Sequence, residues 1–260
     1  MLTGKFYAKD LSVVEVELKV HKASGLYYRP GSSDANMLKE CTSDYPTVDC
    51  KGKVVFDCGG NVGGFTCRAI RQGAAEVVVF EPEPLNFEVL EENVHLVLKE
   101  MASGIAVTMV NAAVVAGDDD SLPFYINPGS NAMCSASLLA GRKRLQINVD
   151  CVNFFAMMDK YRPSLIKMDI EGGEYPLIAH GLPDYVKELA IELHGSSKAT
   201  NGLMHSFFEE LSSSWRTEFH EFVNIFNAHS ITLAHFVRDL LEERVNIFDF
   251  DGVVSVGVYP

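Results

Sequence analysis

The 260-residue sequence contains no long uninterrupted apolar segment. Residues 1–20 alternate apolar and charged side chains, whereas a secretory signal peptide has a continuous apolar core. No stretch approaches the roughly 20 apolar residues that a membrane-spanning helix needs. We therefore expect a cytoplasmic protein without a membrane span.

Positive charge is scarce as well. The 22 Lys and Arg residues are outnumbered by 35 Asp and Glu residues, which gives a formal net charge of −13. A field of this sign repels phosphate backbones, so the charge balance argues against a nucleic acid partner.

Closely paired cysteines are also absent. None of the six cysteines belongs to a C-x-x-C motif, and they lie in apolar or mixed segments. Reduced thiols are therefore expected in place of a disulfide framework, and the spacing argues against a zinc site.

Apolar runs alternate with amphipathic stretches from about Lys53 onward. Each run is nearly continuous in apolar residues, as expected for a strand that helices cover on both faces. This alternation is typical of βαβ units around a mostly parallel sheet, and it predicts a Rossmann-like α/β fold. Five parallel strands are predicted, at residues 53–57, 76–81, 105–111, 165–169 and 189–194.

Apolar spacing and turn signals predict the remaining elements. A helix is expected over 84–100, with Glu83 facing solvent beside it. Two later helices are predicted at 201–213 and 229–243, and Asp251-Gly252 predicts a closing antiparallel hairpin over 245–259.

The chain is expected to divide into two parts. Residues 1–52 form an N-terminal β/α extension, and residues 53–260 form the ligand-binding α/β domain. An insertion near 113–152 interrupts the βα pattern, and we interpret it as a lid or acceptor loop over the strand ends.

The strongest local signal is the segment VVFDCGGNVGGF, in which a buried strand ends at Asp57 and a glycine-rich turn precedes a helix. Glycines at such a turn let the backbone approach a ligand and present amides at a helix N-terminus. A carboxylate at the strand end repels pyrophosphate but attracts the ammonium and sulfonium charges of S-adenosylmethionine. We therefore predict that this cofactor is bound by Asp57, Gly59, Gly60, Asn61 and Gly63.

Two further strand ends carry residues suited to the adenosine part of that cofactor. Glu81 follows Asp57 by 24 residues, close to the spacing at which an acidic residue meets ribose hydroxyls. Asn111 ends the third predicted strand and could hydrogen-bond the adenine, although a simple strand-end asparagine explains it equally well.

Acidic residues and a histidine follow the fourth and fifth predicted strands. KMDIEGGE contains Asp169 and Glu171, and AIELHG contains Glu192 and His194. Asp169 is the first candidate for the base that takes the proton of an acceptor hydroxyl. Glu171 fits catalysis or a helix N-terminus, and His194 fits a base, a metal ligand or a structural role. Asp169, Glu192 and His194 could together hold Mg²⁺ or Mn²⁺ to orient two acceptor hydroxyls, although no sequence feature requires an ion.

In this order, the segments VVFDCGGNVGGF, VVVFEPEPLNFEVLEENV, VNAAV and LIKMDIEGGEYPLI resemble the FkbM-type S-adenosylmethionine-dependent methyltransferases. The resemblance implies a seven-stranded class I methyltransferase fold with cofactor residues at Asp57, Gly59, Asn61 and Glu81. It also implies O-methylation of a hydroxyl on a sugar, glycan or small natural product. Gly60 departs from the family, which often has alanine there.

Two alternatives remain open at this point. The same strand, glycine turn and acidic residue would suit a nicotinamide-dependent oxidoreductase on a Rossmann sheet. A non-catalytic partner could also retain the cofactor pocket as a scaffold, because a fold does not establish an activity. A homo-oligomer is compatible with either reading.

Overall fold

A computed structural model of the chain describes residues 1–102, 104–127, 145–179, 181–195, 198–225, 229–238, 248–250 and 253–255. Within these ranges the chain is an α/β protein built on a seven-stranded, mostly parallel sheet. None of the helices in this part of the chain is long and apolar enough to cross a membrane.

The first fifty residues form two short hairpins and a helix. In chain order these elements are β1 (Thr3–Tyr7), β2 (Val13–Glu17), β3 (Lys19–Val20), β4 (Tyr27–Tyr28) and α1 (Asp34–Ser43). β1 pairs antiparallel with β2, and β3 pairs antiparallel with β4.

The sheet strands alternate with helices from residue 54 onward, as the sequence predicts. The first elements are β5 (Val54–Cys58), α2 (Gly64–Gln72), β6 (Glu76–Phe80), α3 (Pro84–Met101) and β7 (Ala106–Val110). The chain continues with β8 (Ala113–Val115), β9 (Ser121–Ile126), β10 (Leu145–Asn153), α4 (Phe154–Tyr161), β11 (Leu165–Met168) and α5 (Glu174–Ile178). The last elements are β12 (Glu188–Gly195), α6 (Lys198–Ser214), β13 (Arg216–Ile225), β14 (His229–Val237), β15 (Phe248–Phe250) and β16 (Val253–Ser255).

Strand order in the main sheet is β7-β6-β5-β11-β12-β14-β13. The five predicted strands are all present and parallel, and β14 is antiparallel to both of its neighbours. Strand order therefore reverses between β5 and β11. In an open α/β sheet, the carboxyl ends of the strands beside such a reversal form the crevice where ligands bind.

Apolar side chains from both faces of the sheet make two separate cores. Val55, Val77 and Val79 face a core shared with α1, α2 and α3, whereas Phe56 and Phe80 face a core shared with α4 and α6. Successive strand residues thus point to opposite faces, and both faces are covered. This explains why the strands are almost continuously apolar in sequence.

The prediction of a helix over 229–243 is wrong, because residues 229–237 form β14. Leu233 to Phe236 are buried one after another, which suits a strand covered on both sides and does not suit one apolar helix face. β14 also pairs with β12 over residues 230–237. Together with β13 it forms the antiparallel pair that completes the seven-stranded sheet.

The predicted closing hairpin is also present, as β15 paired antiparallel with β16 in a separate two-stranded sheet. Its predicted turn, Asp251-Gly252, lies outside the described residues. In the insertion, β10 pairs with β8 and β9 in a three-stranded sheet, whereas residues 128–144 also lie outside the described part. The division of the chain at residue 52 stays a prediction.

Arg29 joins the N-terminal segment to the start of α3. Its fully buried guanidinium donates to Asp34 at 2.8 Å through Nε and at 2.8 Å through Nη2. It also donates to the carbonyls of Lys5 (2.7 Å) and Leu85 (2.9 Å) and to Asn86 Oδ1 (2.7 Å). Three distant segments therefore meet on one side chain.

Replacing Arg29 should destabilise the protein strongly. Arg29→Met leaves the buried Asp34 carboxylate unpaired, and we expect a loss of about 3–5 kcal/mol in the free energy of unfolding in urea. Arg71→Met is the matched control, because Arg71 and its partner Glu100 are partly exposed. That control should lose less than about 1 kcal/mol. Equal losses in the two variants would contradict the role given to Arg29.

Candidate active site

The carboxyl ends of β5, β6, β11 and β12 bring the predicted site residues together. Asp57 lies at the end of β5, Glu81 follows β6, Asp169 follows β11 and His194 lies near the end of β12. Their order along the sheet edge follows the strand order, so the glycine loop and the acidic segment KMDIEGGE are direct neighbours.

The glycine loop packs closely against the adjoining strands. Gly59 has a φ of +87°, and a Cβ there would lie 1.9 Å from the carbonyl oxygen of Asp169. A Cβ on Gly60 would lie 2.3 Å from Val79 Cγ2, which explains glycine at the position where alanine is frequent in the family it resembles. The amides of Gly59 and Gly60 both donate to the Phe80 carbonyl at 3.0 Å. Glycine is therefore required here by the packing of the protein itself.

The end of the loop forms the start of α2. Gly63 caps this helix in a left-handed conformation with a φ of +87°, which suits a residue without a Cβ. Asn61 also adopts a positive φ, of +48°, and its backbone amide donates to Glu81 at 2.7 Å. The loop is thus tied to the end of β6 as well as to β5.

Asp57 is fully buried beneath this loop and forms an ion pair with Lys167. Thr66 Oγ1 donates to Asp57 Oδ2 at 2.6 Å, and Lys167 Nζ lies 3.4 Å from Asp57 Oδ1. Asp57 and Lys167 are cross-strand neighbours on β5 and β11, which explains why the two side chains meet. Asp57 therefore has a counter-charge within the protein. A direct contact between Asp57 and a cofactor stays a prediction.

Each of the two buried groups favours the charged form of the other. Burial raises the pKa of Asp57, whereas Lys167 and the Thr66 hydrogen bond oppose that rise. Burial alone would lower the pKa of Lys167, but Asp57 and Asp169 outweigh it and raise the pKa. The sequence analysis did not single out Lys167. A lysine inside the apolar strand Leu165–Met168 was the signal that could have found it.

Glu81 lies at the end of β6 with only 5% of its surface exposed. One carboxylate oxygen accepts from the Asn61 amide at 2.7 Å and the other from the Glu83 amide at 2.9 Å. Burial is the main cause that raises the pKa of Glu81 to about 7. The carboxyl is therefore positioned by the backbone and can change its charge near neutral pH.

Asn111 and Glu83 support this strand end from two sides. Asn111 Nδ2 donates to the carbonyls of Glu81 (2.7 Å) and Pro82 (3.3 Å), so the side chain lies beside the predicted adenosine position. Its contact with adenine stays a prediction. The expectation that Glu83 faces solvent is wrong, because it is buried and caps α3 by accepting from the amides of Leu85 and Asn86.

His194 is surrounded by carboxylates. Its Nε2 lies 3.3 Å from Glu192 Oε1, 3.5 Å from Glu171 Oε2 and 3.9 Å from Asp169 Oδ1. Its Nδ1 lies 3.0 Å from Oε1 of the buried Glu174, which also accepts from the amides of Ile170 and Gly172. The structure thus brings together Asp169, Glu171 and His194, the three residues predicted to serve catalysis.

Several ionisable side chains lie close together in this cluster and shift one another's pKa values. Burial opposes the charged form of His194, but Glu171 and Glu174 outweigh it and raise the pKa of the imidazole well above its usual value. Burial raises the pKa of Glu171 to about 8, while His194 opposes the rise and Asp169 adds to it. Glu171 also has a φ of +56°, a conformation that costs a non-glycine residue energy and is often found at functional sites.

Tyr45, which the sequence analysis did not mention, lies against this part of the site. Its ring packs edge-on against Phe65 at the start of α2, and only 3% of its surface is exposed. Among the described residues its hydroxyl has no hydrogen-bond partner. No periodic pattern marks this residue in the sequence, because its contacts come from elements far apart along the chain.

Comparison with known proteins gives one family match. A family model described as the methyltransferase FkbM domain matches residues 57–248. No curated protein sequence matches the chain. Similar solved structures include a tRNA methyltransferase from M. jannaschii (13% identity, 88% of this chain and 59% of that chain, TM-score 0.47). Another is a ribosomal protein L11 methylase from Lactobacillus delbrueckii subsp. bulgaricus (15% identity, 79% of this chain and 80% of that chain, TM-score 0.40). Both of these likenesses are distant.

Removing the Lys167 ammonium should leave a buried charge without its partner. We expect Lys167→Met to lower the free energy of unfolding in urea by about 3–5 kcal/mol. The double variant Lys167→Met with Asp57→Asn should lose less than the single variant, because no unpaired charge remains.

Lys53→Met is the matched control for this experiment. Lys53 pairs with Glu188 at the other end of the sheet, where both side chains are partly exposed and Glu188 also contacts His235. Its loss should be about 1 kcal/mol or less. A double variant that is less stable than Lys167→Met would contradict the assignment of a buried ion pair.

Proposed function

The chain belongs to the FkbM methyltransferase family, and from this premise we propose that it transfers the methyl group of S-adenosylmethionine to a hydroxyl group. The acceptor we propose is a sugar, a glycan or a small natural product. The observation that carries this proposal is the arrangement of two different half-sites along one sheet edge. One half is the glycine loop with Glu81, and the other is the carboxylate cluster around His194.

The donor set at Glu81 fits the ribose of this cofactor. Each carboxylate oxygen accepts one backbone amide, so each has a further lone pair for a ribose hydroxyl. Asn111 lies next to Glu81 on the side expected for the adenine. The carboxylate of Asp169 would favour a positively charged sulfur at the other end.

Asp169 is the residue that we assign to the acceptor proton. Its side chain is 33% exposed, more than that of Glu171 (17%), Glu192 (20%) or His194 (10%), so an acceptor can reach it most easily. As the acceptor oxygen forms its bond to the methyl carbon, its proton passes to an oxygen of Asp169. S-adenosylmethionine supplies an electrophilic methyl group on a sulfonium and leaves as a neutral thioether.

Neighbouring charges keep Asp169 in position for this step. Lys167 Nζ lies 3.7 Å from its Oδ2, and His194 Nε2 lies 3.9 Å from its Oδ1. The Lys167 ammonium and the His194 ring hold the side chain at the strand end, where alignment of the reacting groups contributes much of the rate. The surplus of carboxylates also supports an uncharged hydroxyl acceptor over a phosphate-rich one.

Two variants should show that methyl transfer and cofactor binding depend on different residues. Asp169→Asn should bind S-adenosylmethionine normally in calorimetry and lose about 10²–10⁴-fold in labelled methyl transfer to a panel of sugars, glycans and small natural products. Glu81→Gln should lose binding. Asp184→Asn is the control, because Asp184 is fully exposed far from these strand ends.

Three results would count against the proposal. A thermal shift with NAD and none with S-adenosylmethionine would favour the oxidoreductase alternative, against which the family membership already argues. Cofactor binding without transfer to any acceptor of the panel would favour a non-catalytic role. Full turnover by Asp169→Asn would remove its assignment as the base.

Cofactor affinity should depend on pH through Glu81. Its carboxylate form, which accepts ribose hydroxyls, prevails above the pKa of about 7 and is lost as the pH falls. We expect binding of 5′-methylthioadenosine, which lacks the titrating α-amino group of the methyl donor, to weaken roughly tenfold from pH 8 to pH 6. In Glu81→Gln, binding should be weak and independent of pH. The same slope in both proteins would show that another group is responsible.

A further inference from the structure

The imidazole of His194 faces a position that three carboxylates also face. One ligand atom each from Asp169, Glu171 and His194 lie within 4.8 Å of one another. Glu192 Oε1 is the nearest carboxylate oxygen to Nε2, at 3.3 Å. Ligand atoms bound at about 2.1 Å around one cation lie about 3–3.5 Å apart, so the distances from Nε2 to these oxygens would shorten by less than about 1 Å.

Glu174 fixes the orientation of the ring. Its Oε1 contacts His194 Nδ1 at 3.0 Å and accepts from the amides of Ile170 and Gly172, so it cannot move without breaking the turn. A carboxylate on one ring nitrogen directs the lone pair of the other nitrogen, and this arrangement is found behind most metal-binding histidines. Here the other nitrogen, Nε2, is directed at Asp169, Glu171 and Glu192.

Two buried polar atoms, on residues that interact electrostatically with the cluster, have no hydrogen-bond partner among the described residues. They are the hydroxyl of Tyr45 and Oε2 of Glu174, and both residues are at most 3% exposed. The pKa of Tyr45 is raised mainly by burial and further by the charges of Glu192 and Asp169. The hydroxyl of Tyr45 therefore lies within electrostatic range of the cluster. An unsatisfied buried hydroxyl is costly, and a water or ligand oxygen bound in this part of the site would satisfy it.

The balance of charge around His194 also favours a cation. Asp169, Glu171, Glu174 and Glu192 contribute four carboxylates around one imidazole. Lys167 is the neighbouring ammonium, and it is closer to Asp57 than to Asp169. Like charges brought together in a buried site are costly unless a counter-charge is present.

We propose that Asp169, Glu171 and His194 bind one divalent cation of the Mn²⁺ type, with Glu192 as a fourth ligand or as the acceptor for a water on the ion. Two or three carboxylate oxygens with a single imidazole suit Mn²⁺ better than Mg²⁺, which prefers oxygen alone. Asp169 contributes Oδ1, the oxygen that faces His194, and Oδ2 stays available for the acceptor proton.

The inference deepens the proposed function, on which its biological meaning rests. A cation at this position would hold the acceptor oxygen at the strand ends and make its proton easier to remove. Binding of the ion, however, depends only on this chain, and it can be measured without methyl donor or acceptor.

The test is titration of Mn²⁺ into the chelator-treated full chain, followed by calorimetry and by the paramagnetic resonance signal of free Mn²⁺. We expect one ion per chain, displaced by Zn²⁺ more readily than by Mg²⁺. Asp169→Asn should weaken binding at least tenfold, and Glu174→Gln, which disturbs the orientation of His194, should weaken it about 10–100-fold. Asp184→Asn should bind as the unaltered chain does. Thermal unfolding checks that each variant is folded.

Two results would overturn the metal site. One is the absence of Mn²⁺ binding at millimolar concentration by the folded chain, which would mean that a proton on Nε2 balances the carboxylates. The other is binding that Asp169→Asn and Glu174→Gln leave unchanged. Labelled methyl transfer that continues under chelator would then leave the proposed function standing. Mn²⁺ binding without methyl transfer would support the metal site and count against the methyltransferase function alone.

Discussion

The ammonium group of Lys167 is the contact on which the rest of the site depends. It donates to the Gly59 carbonyl at 2.9 Å and lies 3.4 Å from Asp57 and 3.7 Å from Asp169. Strand β5, the glycine loop and the turn after β11 therefore meet at one buried charge. Because burying an ammonium is costly, these acceptors must be close to it, and this requirement fixes their positions relative to one another.

The edge of the sheet has two parts on either side of Lys167, and they differ in how their carboxylates are balanced by positive charge. On the β5 and β6 side, Asp57 is neutralised by Lys167 and Glu81 is held by backbone amides, so the surface is closely packed and nearly balanced in charge. On the β11 and β12 side, several carboxylates share one imidazole. The first part suits a nucleoside that is held by shape and hydroxyl contacts. The second suits chemistry that needs a proton acceptor or a cation.

Much of the sheet could be predicted from the sequence, because each parallel strand is covered on both faces and therefore appears as a continuous apolar run. Residues 229–237 were predicted wrongly for a related reason. A buried strand and a buried helix segment both place apolar residues at mixed spacings, and pairing with β12 decides between them. Pairing across the sheet is not visible in the sequence of one segment.

The same limit applies to the site. The glycine loop, Glu81 and Asp169 were found because strand ends and glycine turns leave local patterns. Lys167 was missed because its role depends on register, which places it opposite Asp57 on a strand more than 100 residues away. Tyr45 contacts Phe65 through tertiary packing alone, and no local pattern encodes that contact.

The most direct test is a crystal structure of the chain with S-adenosylhomocysteine. We predict that the ribose hydroxyls bind Glu81, that the sulfur faces Asp169, and that Lys167 keeps its contacts with Asp57 and the Gly59 carbonyl. A structure in which Lys167 loses its contacts with both Asp57 and the Gly59 carbonyl would contradict this account. So would a ligand bound away from the glycine loop.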